Sequence, residues 1–262
     1  IWGSSGADVL AVGYPGAVLR YDGASWSAMS DPVLSSIDTA ISGVWGSSAS
    51  DVFAVIRDGA ILHYDGSAWS VTGSPTGPAL YGVWGTSSDD VFAVGWDATI
   101  RHFDGMSWTD ISEHPGAALY GVWGSSSTDV WAVGRFGTFR RWDGSAVFAA
   151  SWLECDWFGI WGSAADNIFM IGSGGTIVRN TSTWWWGWST MPSGTTADLR
   201  DIWGWSGTHI TVVGGEGTVL GYDGTNWTPV PIPGGPESPA AVWGSSPNNV
   251  FIAGEAAAII HR

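Results

Sequence analysis

The sequence predicts an all-β fold made of seven repeated units, and three observations lead to this class. A Trp-Gly pair recurs along the 262-residue chain at intervals of 38 to 43 residues. No stretch sustains the 3.6-residue apolar period of an amphipathic helix. Short runs rich in Val, Ile, Phe and Trp alternate with Gly, Ser and Asp turns, as consecutive strands do. A fixed period of about 40 residues indicates a repeat architecture. The pairs are Trp2-Gly3, Trp45-Gly46, Trp84-Gly85, Trp123-Gly124, Trp161-Gly162, Trp203-Gly204 and Trp243-Gly244.

The third repeat shows the predicted unit most clearly, with strands A, B, C and D at 80–84, 91–95, 99–103 and 107–111. We place the A–B turn at the Gly-Ser-Ser or its equivalent that follows each Trp. Glycines flank the short B–C turn, where they supply positive φ at little cost. Asp-Gly, a strong signal for a tight hairpin, forms the C–D turn. This last pair occurs as Asp22-Gly23, Asp65-Gly66, Asp104-Gly105, Asp143-Gly144 and Asp223-Gly224.

Strand B is apolar at consecutive residues, as in 52–55 and 130–133, so both of its faces must be buried. Four-stranded antiparallel sheets that stack face to face in a ring form a β-propeller. The sequence therefore predicts a single seven-bladed domain over 1–262, and an open β-solenoid is the alternative. The A strands are expected at about 1–2, 41–45, 80–84, 119–123, 157–161, 199–203 and 240–243.

The last blade is expected to be incomplete, because residues 240–262 supply strands A, B and C only. Either the chain is a segment of a longer protein that is one strand short, which we favour, or the ring closes with a three-stranded blade.

The repeat pattern L-x-x-V-W-G…D-V-F-A-V-G-x-x-G-x-I-x-x-Y-D-G-x-x-W resembles bacterial propeller repeats of the photosystem II stability factor type. The Asp-Gly-x-x-Trp portion is also similar to the Asp-box of sialidase-like propellers, although it is one residue shorter. The likeness covers nearly the whole chain. It implies that strand A lines a central channel and that strand D is outermost, and it does not imply binding to a photosystem.

Polar residues that recur in every repeat are interpreted as structural. An Asp or Asn six residues after most of the Trp residues is expected to cap a turn. A basic residue on strand C is expected to pair with the Asp two positions later. One carboxylate per blade gives too few ligands for Ca²⁺, so we predict neither a metal site nor a cofactor.

Composition restricts the partners. The net charge is −15, lysine is absent, and Cys155 is the sole cysteine. A field of this sign repels phosphate backbones, so nucleic acid is excluded as a partner. No apolar run is long enough to span a membrane, and the single cysteine allows no intrachain disulfide.

Binding residues are sought where the repeats differ from one another. The B–C turns vary freely and bring aromatic rings next to charged groups, although this variation is also what neutral drift in loops produces. Blade five replaces Asp-Gly with a run containing four Trp residues, more than one strand can bury, although a repacked rim is the alternative. The predicted binding residues are Tyr14, Arg57, Trp96, Asp97, Arg135, Phe136, Trp184, Trp185, Trp186 and Trp188.

We therefore expect a non-catalytic binding module, lectin-like or adhesive, in a secreted or cell-surface bacterial protein. Its partner would be a carbohydrate or a protein. The alternative is a structural or protein-interaction scaffold, such as a unit of a surface assembly. An enzyme is disfavoured because no nucleophile, base and orienting residue stand together in the sequence, and no catalytic residue is assigned.

Overall fold

Seven antiparallel sheets make up the computed structural model, which describes residues 1–73, 76–183, 186–255 and 258–262. Six sheets have four strands and the last has three. In each sheet the strands follow one another in sequence order. This is the predicted seven-bladed β-propeller with a three-stranded last blade.

The strands are numbered β1 to β27 in chain order. The A strands are β1 (Trp2–Ser5), β5 (Ile41–Ser48), β9 (Leu80–Ser87), β13 (Leu119–Ser126), β17 (Trp157–Ala164), β21 (Leu199–Ser206) and β25 (Pro239–Ser246). The B strands are β2 (Asp8–Gly13), β6 (Asp51–Ile56), β10 (Asp90–Gly95), β14 (Asp129–Gly134), β18 (Asn167–Gly172), β22 (His209–Gly214) and β26 (Asn249–Gly254). The C strands are β3 (Ala17–Tyr21), β7 (Ile61–Tyr64), β11 (Ile100–Phe103), β15 (Thr138–Trp142), β19 (Ile177–Asn180), β23 (Val219–Tyr222) and β27 (Ile259–His261). The D strands are β4 (Trp26–Ala28), β8 (Trp69–Thr72), β12 (Trp108–Asp110), β16 (Val147–Ser151), β20 (Trp188–Met191) and β24 (Trp227–Pro229).

Helical structure is minimal in the described residues, as predicted. One four-residue helix, α1 (Pro32–Ser35), lies between the first two blades, and the Asp31 carboxylate caps it by accepting from the Val33 N–H. Single 3₁₀ turns occur at Trp96–Ala98, Arg135–Gly137 and Ser173–Gly175.

The chain groups into two compact units. One comprises residues 1–122 with 145–147, and the other comprises 123–144 with 148–262. Each has its own packed core, and the assignment of 1–262 to a single domain stays a prediction.

The A–B turn lies later than predicted. The Gly-Ser-Ser residues belong to strand A, whose pairing with strand B continues to Ser48↔Asp51 and Ser246↔Asn249. The prediction was wrong here because a bulge between Gly46 and Ser48 lets the polar residues stay in the ladder, and a bulge accommodates one extra residue on a strand.

The Trp-Gly pair packs one blade against the next. A Cβ on Gly46, Gly85, Gly162, Gly204 or Gly244 would lie only 2.5 to 2.8 Å from the indole of the preceding blade's Trp. Only glycine fits under such a ring, so these five Trp residues require a Gly at the paired position of the next blade.

The Trp that opens strand D also packs between blades. Trp108, Trp188 and Trp227 stand edge-on against an aromatic ring on strand B of the preceding blade, with centroids 5.9 to 6.3 Å apart. Aromatic pairs prefer this geometry, and each ring buries a large area. These rings therefore lie between neighbouring sheets.

Recurring polar residues join strands A, B and C, and two predictions about them were wrong. The Asp that opens strand B was expected to cap a turn, but its carboxylate bonds to the hydroxyl of strand A and to the basic residue of strand C, as Asp8 does with Ser4 and Arg20. The basic residue of strand C contacts the first residue of strand B, twelve positions earlier, instead of the Asp two positions later. Sequence proximity favoured the wrong partner because antiparallel pairing is not local in sequence. The pairs are Arg20–Asp8 at 2.6 Å, His63–Asp51 and His102–Asp90 at 2.7 Å, Arg141–Asp129 and Arg179–Asn167 at 2.8 Å, and His261–Asn249 at 3.1 Å.

The Asp of the C–D turn serves its own loop. The Asp65 carboxylate accepts from the backbone N–H groups of Ser67 and Ala68 and from the Ser67 hydroxyl. These bonds lower the pKa of Asp65 to about 2, the Ser67 hydroxyl contributing most. The turn therefore prefers the ionised carboxylate.

No helix among the described residues is long and apolar enough to cross a membrane.

Candidate functional site

The B–C turn of each blade is fixed by the loops beside it. The Trp96 N–H donates to the Ala79 carbonyl at 2.8 Å, and the Ala98 N–H donates to the Ala117 carbonyl at 3.0 Å. Blade four repeats this arrangement, with the Gly137 N–H donating to the Cys155 carbonyl at 2.6 Å. The side chains between these bonds are thus displayed on an anchored backbone.

In blades three to six the middle residue of the B–C turn adopts a left-handed backbone. The φ angles are 57° at Phe136, 63° at Gly174 and 56° at Glu216. Glycine takes this conformation freely, whereas a bulky residue there is an outlier. A non-glycine residue held in such a region costs about 1–3 kcal/mol and is most frequent at functional sites.

Phe136 projects its ring into solvent from this strained position. Its side chain is 67% exposed, although burial is the usual state of phenylalanine. The Arg135 guanidinium lies 4.8 Å from the ring centroid, within cation–π range. The Asp156 carboxylate accepts from the Phe136 N–H at 2.9 Å and lies 3.9 Å from Arg135 Nε. The ring is therefore exposed and held in a defined orientation.

A cleft of about 700 Å³ opens beside this ring. We call it the Phe136 cleft, and its lining residues are Phe136, Ser151, Trp152, Leu153, Glu154 and Asp156. Leu153 is a second non-glycine residue with positive φ, 60°, and is also exposed. The cleft combines apolar surface with two carboxylates and the neighbouring Arg135. Such a mixture suits a ligand that carries both an apolar group and a cation.

Cys155 lies behind the cleft as a partly buried thiol. Burial raises its pKa to about 11, and the nearby Asp156 adds to the rise. The thiolate is the nucleophilic form of cysteine, and the raised pKa favours the protonated thiol at neutral pH.

The predicted residues of blades one to three lie in separate turns of the first unit. Tyr14 is 73% exposed and Trp96 is 53% exposed. The Arg57 guanidinium lies 6.0 Å from the centroid of the Tyr81 ring. Asp97 accepts from the Gly116 N–H at 2.9 Å and lies 3.3 Å from the His114 imidazole. Asp97 thus helps to hold its own loop.

In blade five the predicted tryptophans have different surroundings. Trp184 and Trp185 lie outside the described residues. Trp186 is 70% exposed, whereas Trp188 is partly buried and packs on Trp131. This C–D loop is separated from the B–C turn of its blade by the full length of β19. The predicted site residues therefore divide between opposite ends of the blades.

The C–D turn of blade five keeps its chemistry, contrary to expectation. The buried Asn180 stands at the strand position of Tyr64, one residue before the Asp of the other blades, and its side-chain oxygen accepts from the Ser182 N–H at 2.8 Å, as Asp65 does from the Ser67 N–H. Asn180 pairs with Trp188 as Tyr64 pairs with Trp69. The loop is longer, but the hydrogen bond at its start is of the same kind, since an amide oxygen accepts from a backbone N–H as a carboxylate does.

The recurring hydroxyl, Asp and His residues lack the order needed for acyl transfer. In blade two the Ser47 hydroxyl and the His63 imidazole both bond to Asp51. Nucleophilic catalysis requires the imidazole between the hydroxyl and the carboxylate, so that it can take the hydroxyl proton. Within the part of the chain that the structure describes, no three His, Cys, Asp or Glu side chains form a group that could hold a metal ion.

No protein-family model and no curated protein sequence matches the chain. Solved structures do match. A structure of YCF48 bound to D1 peptide superposes with a TM-score of 0.80 at 18% identity, covering 99% of this chain and 89% of that chain. The chain shares its fold with YCF48.

YCF48 from Cyanidioschyzon merolae gives a TM-score of 0.78 at 16% identity, covering 100% of this chain and 93% of that one. The WD40 β-propeller domain of Doa1 gives 0.69 at 14% identity, with 85% and 81% coverage. The likeness to YCF48 supports the predicted resemblance to photosystem II stability factor-type propellers at the level of the fold. At such identities the fold alone is shown. The bacterial origin and the sialidase likeness stay predictions.

Sequence reasoning missed several residues that shape the described surface. Leu153, Glu154 and Asp156 complete the Phe136 cleft, and their place depends on the path of the loop after β16. Trp205 is exposed, and each of the other six repeats has Ser or Thr at the equivalent position. Alignment of the repeats position by position would have identified Trp205.

Proposed function

We propose that this chain is a non-catalytic binding module whose Phe136 cleft takes an extended peptide segment of a protein partner. The observation that carries the proposal is the exposed aromatic ring of Phe136 at a backbone angle that glycine would adopt without strain. A residue that strains the fold and buries little surface contributes nothing evident to stability. Such breaks of local rules occur at functional sites.

The chemistry of the cleft defines the segment. Phe136, Trp152 and Leu153 offer an apolar surface for one side chain, and Glu154 and Asp156 attract a basic neighbour. We therefore infer a peptide with an apolar residue next to Lys or Arg. YCF48, which has the same fold, has been solved bound to D1 peptide, and this supports a peptide as the class of ligand.

The test substitutes the single residue that carries the proposal. Peptides selected from a random phage-displayed library on the wild-type chain are measured against Phe136→Gly by fluorescence anisotropy. We expect at least a tenfold loss of affinity, since an aromatic anchor at the centre of an interface contributes about 2 kcal/mol or more. The melting temperature should stay equal or rise, because glycine relieves the positive φ.

Glu216→Gly is the matched control. It makes the same backbone change in the same turn of blade six, where φ is 56°, and it removes no aromatic ring. Its affinity for the selected peptides should equal that of the wild type. Equal binding by Phe136→Gly and wild type would refute the proposal.

Carbohydrate is the second candidate ligand. The exposed rings of Tyr14 and Trp96, each in its own turn beside polar groups, are the kind of surface on which sugars stack. A glycan array with the wild-type chain decides this alternative, and Trp96→Ala should then abolish the signal. A scaffold role in a surface assembly is compatible with the peptide proposal, because it requires the same contacts with protein.

The predicted secreted or cell-surface location is also part of the proposal. It is supported by the low content of charged residues, 13%, and by the excess of tryptophan. Fractionation of the source cells with an antibody against the chain tests it directly.

A further inference from the structure

Two carboxylates line the Phe136 cleft, and their surroundings differ. Asp156 is the last residue before β17, and Glu154 lies two residues earlier in the loop that follows β16. Both attract a basic group by their charge, but attraction over a distance and direct contact are separate roles. The hydrogen bonds of each carboxylate show which of the two is free to contact a ligand.

Asp156 is engaged with the backbone and side chains around it. One carboxylate oxygen accepts from the Phe136 N–H at 2.9 Å, and the other lies 3.9 Å from Arg135 Nε. The Asp156 N–H donates to the Ser173 hydroxyl at 3.1 Å, and the Asp156 carbonyl accepts from the Ser173 N–H at 2.9 Å. Asp156 therefore ties the B–C turn of blade four to the B–C turn of blade five.

Blade five has the same side-chain bond in a turn that carries no aromatic ring. The Asp198 carboxylate, directly before β21, accepts from the Gly174 N–H at 2.9 Å. Gly174 is the middle residue of its B–C turn with a φ of 63°, as Phe136 is in blade four with a φ of 57°. An aspartate at this place thus holds a left-handed turn whether or not the turn displays a ring, so the bond made by Asp156 is structural.

Glu154 has no such engagement. Its side chain is exposed, and its carboxylate has no hydrogen bond or ion pair with any part of the chain that the structure describes. The equivalent residue of blade five, two positions before Asp198, is Thr196, so the turn does not require an acidic residue here. Glu154 is therefore a carboxylate in the wall of the cleft that the fold leaves unused.

The Phe136 ring already carries a cation. The Arg135 guanidinium lies 4.8 Å from the ring centroid, and the rest of the side chain is exposed. A second cation on the same ring would be repelled by Arg135, so the exposed part of the ring suits an apolar side chain better. A basic side chain of the ligand gains more from Glu154, whose charge no described residue neutralises.

We propose that Glu154 selects a basic side chain of the bound peptide and that Asp156 is a positioning residue that holds Phe136 in place. The inference rests on the proposed function of the Phe136 cleft and gives its two carboxylates different roles. Arginine is the preferred basic residue, because its planar guanidinium bonds a carboxylate with two parallel N–H groups, whereas lysine presents a point charge. The ligand class is thus a peptide in which Arg stands beside an apolar residue.

Parallel phage selections test the role of Glu154 without a ligand known beforehand. One random library is selected on wild type, Glu154→Gln, Asp156→Asn and Phe136→Gly. Among peptides that Phe136→Gly does not retain, wild type should enrich Arg about threefold over the library, the order of effect of a solvent-exposed ion pair. Glu154→Gln should lose this enrichment. Asp156→Asn should keep it, because the amide oxygen still accepts from the Phe136 N–H.

A double-mutant cycle on one selected peptide measures the contact directly. The peptide and a version with Gln in place of Arg are compared on wild type and Glu154→Gln by fluorescence anisotropy. Each single change should weaken binding about two- to fivefold, as loss of a solvent-exposed ion pair does. The two changes together should weaken it no further, because they remove the same interaction. Asp156→Asn should weaken binding of the Arg peptide less than Glu154→Gln does.

Fluorine NMR of the chain labelled with 4-fluorophenylalanine tests the role of Asp156 with no ligand present. The signal of Phe136 is the one that Phe136→Gly removes. Asp156→Ala should shift this signal more than Asp156→Asn and Glu154→Gln do, because only Asp156→Ala deprives the Phe136 N–H of its acceptor. Asp198→Ala is the matched control, since it removes the same bond from blade five, and it should shift the signal less than Asp156→Ala does.

The outcomes separate this inference from the proposed function. Equal loss of Arg preference in Asp156→Asn and Glu154→Gln would mean that both carboxylates contact the ligand, and would overturn the inference. So would a Phe136 signal that Asp156→Ala leaves in place. Wild-type selections without Arg enrichment, among peptides that still require Phe136, would overturn the inference and leave the proposed function intact. Peptides that bind wild type and Phe136→Gly equally would refute the proposed function and this inference with it.

Discussion

Five glycines of the Trp-Gly pairs each contact the Trp ring of the preceding blade. Trp123 lies so close to Gly162 that an added Cβ would approach its ring to 2.6 Å. The motif therefore encodes the stacking of sheets as well as the position of a strand. Whether a larger residue can replace glycine at these sites should depend on the ring above it and not on the backbone angle, because none of these glycines has a positive φ.

Gly162→Ala tests this contact. The added methyl group must displace the Trp123 ring, and overpacking of this kind costs about 1–3 kcal/mol. Gly13→Ala is the matched control, since Gly13 also lies in a strand and nothing is within 4 Å of its Cβ position. Urea unfolding followed by circular dichroism measures both. Equal free energies of unfolding for the two variants would contradict the packing role.

At the scale of elements, the described blades differ from one another in the length of their loops and in the residues at the ends of their strands. Blade five retains Asn180 at the base of its C–D turn and Trp188 at the start of strand D, and inserts residues between them. The insertion therefore changes the surface and leaves the sheet as it is in the other blades. Trp186 and Trp188 should consequently differ in their contribution to stability.

Trp188→Ala should lower the free energy of unfolding by about 1–3 kcal/mol, less than the roughly 3–5 kcal/mol of a fully buried ring. Its indole packs edge-on against Trp131 with centroids 5.9 Å apart. Trp186→Ala should change the free energy of unfolding by less than about 0.5 kcal/mol, as most surface substitutions do. Thermal melts of both variants provide the measurement. A large loss for Trp186→Ala would mean that its ring belongs to the core.

Much of the element structure followed from the sequence because it is encoded locally. The Trp-Gly spacing and the Asp-Gly turns identified the blades, since each signal spans only a few residues. The pairing of His63 with Asp51 was missed because the partner lies twelve positions away across a hairpin. The positive φ of Phe136 could not be predicted, because phenylalanine disfavours it and the surrounding bonds to Asp156 and Cys155 impose it.

At the scale of the whole molecule, charge limits the partners more than the fold does. Propellers carry many functions, and the likeness to YCF48 and to Doa1 shows the architecture alone. The chain carries 24 acidic and 9 basic side chains, and several of the basic ones are already engaged with the first residue of strand B. The net field at the surface is therefore negative.

This field predicts both what binds and how binding responds to salt. Duplex DNA and vesicles of anionic lipid should show no binding at about 50 mM salt, where the Debye length of roughly 14 Å lets like charges repel. A cationic peptide selected for the Phe136 cleft should associate more slowly as salt rises, because screening removes the electrostatic steering, while its dissociation changes little. Surface plasmon resonance at about 50 and 500 mM salt separates the two rates. A dissociation rate that rises as steeply as the association rate falls would mean that solvent-exposed ion pairs, and not the ring of Phe136, hold the peptide.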